Sequence, residues 1–130
     1  PAYTKIFGFD IDRSSVELAR KNASEAGMSS YITFGVSDIK DFYSPVREAR
    51  GTIVTNPPYG ERMGDIQSAR ELLEIMGKVF SERVPNWQLY IISSDDELEH
   101  YYCRRSDKVR KLYNGMIKCG FFQFYKNKKN

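Results

Sequence analysis

The sequence predicts an α/β fold, an open and mostly parallel sheet that closes with a C-terminal antiparallel hairpin. Three observations lead there. Short apolar runs alternate with segments of helical periodicity; several runs close on acidic or polar residues; and near the C-terminus Asn114-Gly115 separates two strand-like runs.

Lys5–Asp10 is a short apolar run ending in an acid, as expected of a parallel strand buried on both faces. A helix should follow, since Ser14-Ser15-Val16-Glu17 fits a capping box and Val16, Ala19, Ala23 and Ala26 recur at helical spacing before Gly27. Next come a strand over Tyr31–Gly35, an acidic turn at Ser37-Asp38, a short segment to Tyr43, and a strand over Gly51–Thr55. The longest helix is expected to open at Ser68-Ala69-Arg70-Glu71, carry Leu72, Leu73, Ile75, Met76, Val79 and Phe80 on its apolar side, and end before Pro85. A strand over Trp87–Ile92 and a short helix over Asp95–Tyr102 precede the hairpin, whose arms are Val109–Tyr113 and Ile117–Tyr125 around a type I′ turn at Asn114-Gly115. Sheets of this kind usually begin with a central strand and a Gly-rich turn, and no G-x-G run precedes Asp10. Residues 1–125 are therefore expected to be the C-terminal portion of a larger catalytic domain that lacks its first strand and Gly-rich loop, with residues 126–130 as a basic tail.

The 130 residues are 41% hydrophobic and 28% charged, an ordinary globular composition for one domain at most. No apolar run reaches the roughly 18–20 residues of a membrane helix, and the first residues lack the layout of a secretory signal, so a cytoplasmic protein is expected. Cys103 and Cys119, with only His100 nearby, match no zinc module. The net charge of +3 is uneven: residues 104–130 hold nine Lys or Arg against one acid, +8, while the other 103 residues carry −5. Such an end favours a polyanion through counterion release, and equally suits a solvated hairpin face.

Asp10 should stand in the crevice at a strand's carboxyl end, where an acid can accept both hydroxyls of a ribose. Asp12 suits a helix cap better. Asp38 ends the next strand; its carboxylate can accept from an adenine amino group while the Ile39 N–H serves a ring nitrogen, although a turn acid would look the same. Asn56-Pro57-Pro58-Tyr59 is more specific. Two prolines stiffen the chain and remove two N–H donors, so the turn presents mainly acceptors. The Asn56 side-chain oxygen and the Pro57 carbonyl can both accept from one –NH₂ group, favouring the pyramidal nitrogen and developing positive charge of methyl transfer. Tyr59 offers a ring on which an unstacked base can lie.

Phe7-Gly8-Phe9-Asp10-Ile11-Asp12, followed by Glu17-Leu18-Ala19-Arg20-Lys21-Asn22-Ala23, resembles the second motif of class I AdoMet-dependent methyltransferases, whose sheet is Rossmann-like. Asn56-Pro57-Pro58-Tyr59 resembles the fourth motif of their amino-methylating branch. Extended to Thr55-Asn56-Pro57-Pro58-Tyr59-Gly60-Glu61-Arg62, and with Lys111–Gly115 and Cys119, it is similar to the THUMP-associated RNA guanine-N2 methyltransferases, including those acting on 23S ribosomal RNA and often labelled N6-adenine-specific DNA methylases. The resemblance implies S-adenosyl-L-methionine (AdoMet) held by Asp10, Ile11, Asp38, Ile39 and Asn56, with Ile11 against the adenine. It implies catalysis by Asn56, Pro57, Pro58 and Tyr59, no metal, and RNA, ribosomal RNA first, as substrate. Tyr59, Arg62, Arg104 and Arg105 become the candidate nucleic-acid contacts. An upstream THUMP domain and Gly-rich loop are expected in the full-length protein, and the isolated chain is expected to be inactive. A DNA N6-adenine methyltransferase and a non-catalytic nucleic-acid-binding module are the alternatives.

Overall fold

The structure is a computed structural model that describes residues 5–46, 50–115 and 117–125; the expected basic tail, residues 126–130, lies outside them. The chain divides into two compact units, Pro1–Pro45 and Val46–Asn130.

In the first unit, β1 (Ile6–Asp10) pairs in parallel with β2 (Ile32–Val36), and α1 (Arg13–Glu25) connects them. Helix α1 begins earlier than the Ser14 capping box predicts. Asp12 is the N-cap: its carboxylate accepts from the Ser14 N–H at 3.3 Å, and the Ser14 and Ser15 hydroxyls donate to it at 2.7 and 2.8 Å. Those two hydroxyls hold the Asp12 carboxyl below its ordinary value. Gly27, at φ +74°, ends the helix as expected. Val16 and Ala23 of α1 are buried, but β1 is not enclosed on both faces, with Ile6 and Phe9 over 40% exposed. Among the described residues of this unit α1 is the only helix of more than one turn, too little to cover two faces of a pair of strands.

In the second unit, β3 (Thr52–Thr55), β4 (Gln88–Ser93), β5 (Lys108–Asn114) and β6 (Ile117–Phe124) form a sheet of order β3-β4-β6-β5. β3 and β4 are parallel, and β6 runs antiparallel to both β4 and β5. The fold is thus the expected mixture, parallel strand pairs finished by an antiparallel hairpin. Along β4 burial alternates, with Leu89, Ile91 and Ser93 inside. They share the core with Ala69, Leu73, Met76, Val79 and Phe80 of α2 (Met63–Arg83), Leu98 and Tyr102 of α3 (Leu98–Tyr102), and Phe122 and Phe124 of β6. A side chain on Gly77 would overlap the Tyr102 carbonyl oxygen, so the close approach of α2 and α3 requires glycine there.

Two boundaries differ from expectation. Helix α2 opens at Met63, with Arg62 at the N-cap and the Ile66 N–H already bonded to the Arg62 carbonyl at 2.9 Å, so Ser68 is interior and not a cap. The hairpin ladder continues to Asn114 opposite Ile117, which moves the turn one residue on and puts Gly115, at φ +65°, just inside it.

Candidate active site

Asn56-Pro57-Pro58-Tyr59 leaves the carboxyl end of β3, whose last ladder pair is Thr55 with Ile91. All peptide bonds of the turn are trans. Asn56 and Pro58 are exposed, Pro57 and Tyr59 half-buried. Neither Asn56 nor Tyr59 spends its polar side-chain group on a hydrogen bond among the described residues. The Asn56 carboxamide is thus exposed and uncommitted at the end of a strand. Gly60 decides how the turn continues: a Cβ there would overlap Asp65 in the first turn of α2, so the chain folds straight from the motif into the helix.

Behind the turn lies a polar cluster that sequence patterning missed. Asp95, 1% exposed just past β4, takes a two-pronged contact from Arg70 of α2: Nε to Oδ2 at 3.0 Å and Nη2 to Oδ1 at 3.1 Å. The same guanidinium reaches the Tyr101 hydroxyl at 3.3 Å, sits 4.6 Å from that ring's centre, and lies 3.2 Å from Glu97 Oε2. Asp95 is further fixed by its N–H donating to the Ser93 hydroxyl and by its carboxylate accepting from the Glu97 N–H. The Asp95 hydrogen bond, with smaller contributions from Tyr101 and Tyr59, raises the Arg70 pKa above its already high range. The available signal was Ser93-Ser94-Asp95-Asp96 at a strand end.

In the first unit, Asp10 and Asp38 lie at the same end of two paired strands, since Asp10 pairs with Val36. One Asp10 oxygen accepts from the Asp12 N–H at 2.9 Å. Asp38 caps a single 3₁₀ turn, accepting from the Lys40 N–H at 3.0 Å, with the Lys40 ammonium 3.8 Å away. The turn-acid reading of Asp38 is thus what the geometry shows, with its second carboxylate oxygen facing the lysine. Ile11 is 66% exposed, and the Ile39 N–H has no partner among the described residues. An exposed apolar side chain, two carboxylates and an open N–H form a donor and acceptor set that fits an adenosine.

The RMKL-like methyltransferase domain family (UPF0020) matches residues 2–123. The chain belongs to this family. It is 39% identical over 117 residues to the ribosomal RNA large subunit methyltransferase K/L of Shewanella amazonensis (strain ATCC BAA-1098 / SB2B), covering 90% of this chain and 16% of that protein. The crystal structure of SMU.472 complexed with SAH superposes with a TM-score of 0.88 at 36% identity, covering 98% of this chain and 33% of that one. A Listeria monocytogenes str. 4b F2365 protein described as a predicted N6-adenine-specific DNA methylase gives a TM-score of 0.82 at 36% identity, with 94% and 30% covered. The chain thus spans about a sixth of that curated relative and about a third of these solved chains.

The arginines of this RMKL-like domain differ in their circumstances. Arg62 is exposed and makes no cap hydrogen bond at the positive end of α2, a place where a cation is unfavourable to the helix. Arg105 is exposed as well. Arg104 is engaged internally: it donates to the Tyr125 carbonyl, lies 3.6 Å from Asp107 Oδ2, and covers the Phe124 ring at 5.5 Å. A cavity of about 460 Å³ is lined by Trp87, Glu74, Lys78 and Cys103 among others, at the amino ends of β3 and β4, away from the motif. Among the described residues no cluster of metal-binding side chains occurs and no helix is long and apolar enough to cross a membrane.

Proposed function

We propose that this domain transfers a methyl group from AdoMet to the exocyclic amino group of a base in RNA, guanine N2 of ribosomal RNA in the first instance. The observation that carries this reading is the Asn56-Pro57-Pro58-Tyr59 turn, with its acceptors unspent at a strand's carboxyl end, in a chain of a methyltransferase family. The ribosomal RNA activity named for the Shewanella relative supports the choice of substrate, and the SAH complex of SMU.472 supports the choice of cofactor.

AdoMet would supply an electrophilic methyl group. Asp10 suits the ribose hydroxyls through its open carboxylate oxygen, Ile11 the adenine face, Asp38 the adenine amino group, and the Ile39 N–H a ring nitrogen. Asn56 also borders the cofactor in this reading. The Asn56 side-chain oxygen and the Pro57 carbonyl accept hydrogen bonds from the two N–H groups of the target amine; as its lone pair leaves conjugation with the base, those acceptors stabilise the charge building on nitrogen. Pro58 holds the carbonyl in place by fixing φ, and Tyr59 stacks on the extracted base. Arg62 and Arg105 suit backbone phosphates; Arg104 acts there only by giving up its internal partners. The complete protein is expected to add a THUMP domain for substrate selection and a Gly-rich loop for the cofactor, and to work in the cytoplasm.

The adenine-methylase description of the Listeria protein keeps DNA in view, because the motif serves any sp² amino group. The deciding experiment offers the complete protein labelled AdoMet with hypomethylated ribosomal RNA, transfer RNA and DNA, followed by nucleoside analysis. N2-methylguanosine in ribosomal RNA is expected. Label confined to DNA adenine would transfer the same mechanism to the other substrate and end the RNA reading.

A further inference from the structure

The hairpin carries a basic surface that the catalytic turn does not use. Because β5 runs parallel to β4 and β3, its carboxyl end and the turn after it lie at the same end of the sheet as Asn56. The register fixes the levels: Thr55, Ile91, Phe122 and Val109 stand in one row across the four strands, so Asn56 begins beyond the row that Arg110 follows. β4 ends at Ser93, opposite Gly120 and hence in line with Lys111. The hairpin then runs on unsupported, through Leu112–Asn114 and Ile117–Cys119, roughly 10 Å past the end of β4 at about 3.4 Å per residue. Sideways, three strand spacings of about 4.8 Å put β5 roughly 14 Å from β3.

Arg110 and Lys111, level with the last residues of β4, and Lys118 on the projection are exposed and form no ion pair among the described residues. Tyr113, 71% exposed, pairs directly with Lys118, and Lys111 lies two residues back on the same face. Lysines on an outer strand also discourage edge-to-edge pairing. Past Ser93 both arms are open edges, so that role accounts for Lys111 and Lys118 as single charges, but not for their standing with Tyr113 on one face of the hairpin.

We propose that the β5–β6 hairpin is a phosphate-binding arm, with Lys111 at the base of its projecting end and Lys118 farther out gripping the backbone of the RNA strand whose flanking base reaches the Asn56–Tyr59 turn. This rests on the RNA reading above for its substrate. The arm touches phosphates only, so it adds affinity and direction without reading sequence.

The test is equilibrium binding of a ribosomal RNA fragment by the complete protein, compared with Lys111→Ala/Lys118→Ala and with Lys78→Ala, which removes one exposed charge at the opposite end of the sheet. The double variant should bind about tenfold more weakly, and the slope of log K against log salt should fall by roughly 0.7–0.9 for each phosphate no longer neutralised. AdoMet affinity should not change, which verifies folding. Unchanged affinity and slope in the double variant, an equal weakening in Lys78→Ala, or no RNA binding by the parent protein would each overturn the arm. Methyl transfer measured in parallel keeps the two readings apart: a parent protein that methylates RNA while the double variant binds normally removes the arm and leaves the function standing.

Discussion

At the scale of single residues, Asn56 is the group whose removal is most informative. Its carboxamide is exposed and uncommitted, so removing it leaves no buried orphan and should cost little stability. Asn56→Ala in the complete protein is expected to lower kcat by about 10²–10³, the usual effect of deleting one preorganised transition-state hydrogen bond, with the melting temperature nearly unchanged. Steady-state kinetics beside a thermal melt checks both halves. Arg70 and Asp95 are a different case, because an almost fully enclosed carboxylate is matched by one guanidinium. The motif was legible in sequence because its four residues are contiguous. The pair behind it was not, since its members stand 25 positions apart and meet only when α2 crosses the end of β4. Read locally, Arg70 looked like part of a capping box.

At the scale of elements, α3 has a titration of its own. Tyr102 packs against the Phe124 ring, with centroids 4.8 Å apart, and burial pushes its phenol up to about 12 from an ordinary 10.0, partly offset by Arg104. The neutral phenol is the form that the fold favours. Its contribution is complete below pH 10, where both states are protonated, and is lost as pH rises from 10 to 12, since the unfolded chain ionises first. Two units correspond to about 2–3 kcal/mol. Tyr102→Phe should lack this decline, so denaturation midpoints at pH 9 and 12 should fall further for the parent than for the variant. Most element types were readable from periodicity and turn residues. Of the helix starts, the Asp12 cap of α1 was readable and the Ser14 box was not the cap, whereas the start of α2, five residues ahead of Ser68 with Gly60 close against Asp65, was not readable.

At the scale of the whole molecule, the chain covers about a third or less of the relatives named above. The 130 residues alone are therefore expected to transfer no measurable methyl to RNA while the complete protein does; turnover by the 130-residue chain in a labelled-AdoMet assay would contradict this. What the sequence determined by itself was chemistry written in contiguous or periodic residues: the strand-helix order, the hairpin, and the Asn56–Tyr59 turn with its acceptors. Tertiary structure alone decided which charges are free and which are spent. Arg104, Arg105 and Lys118 belong to one basic tally in the sequence, yet packing gives Arg104 to Tyr125, Asp107 and Phe124 and leaves the other two exposed. The reason is physical: a turn's acceptors follow from local covalent constraint, whereas a long side chain finds its partner among groups brought together only by folding.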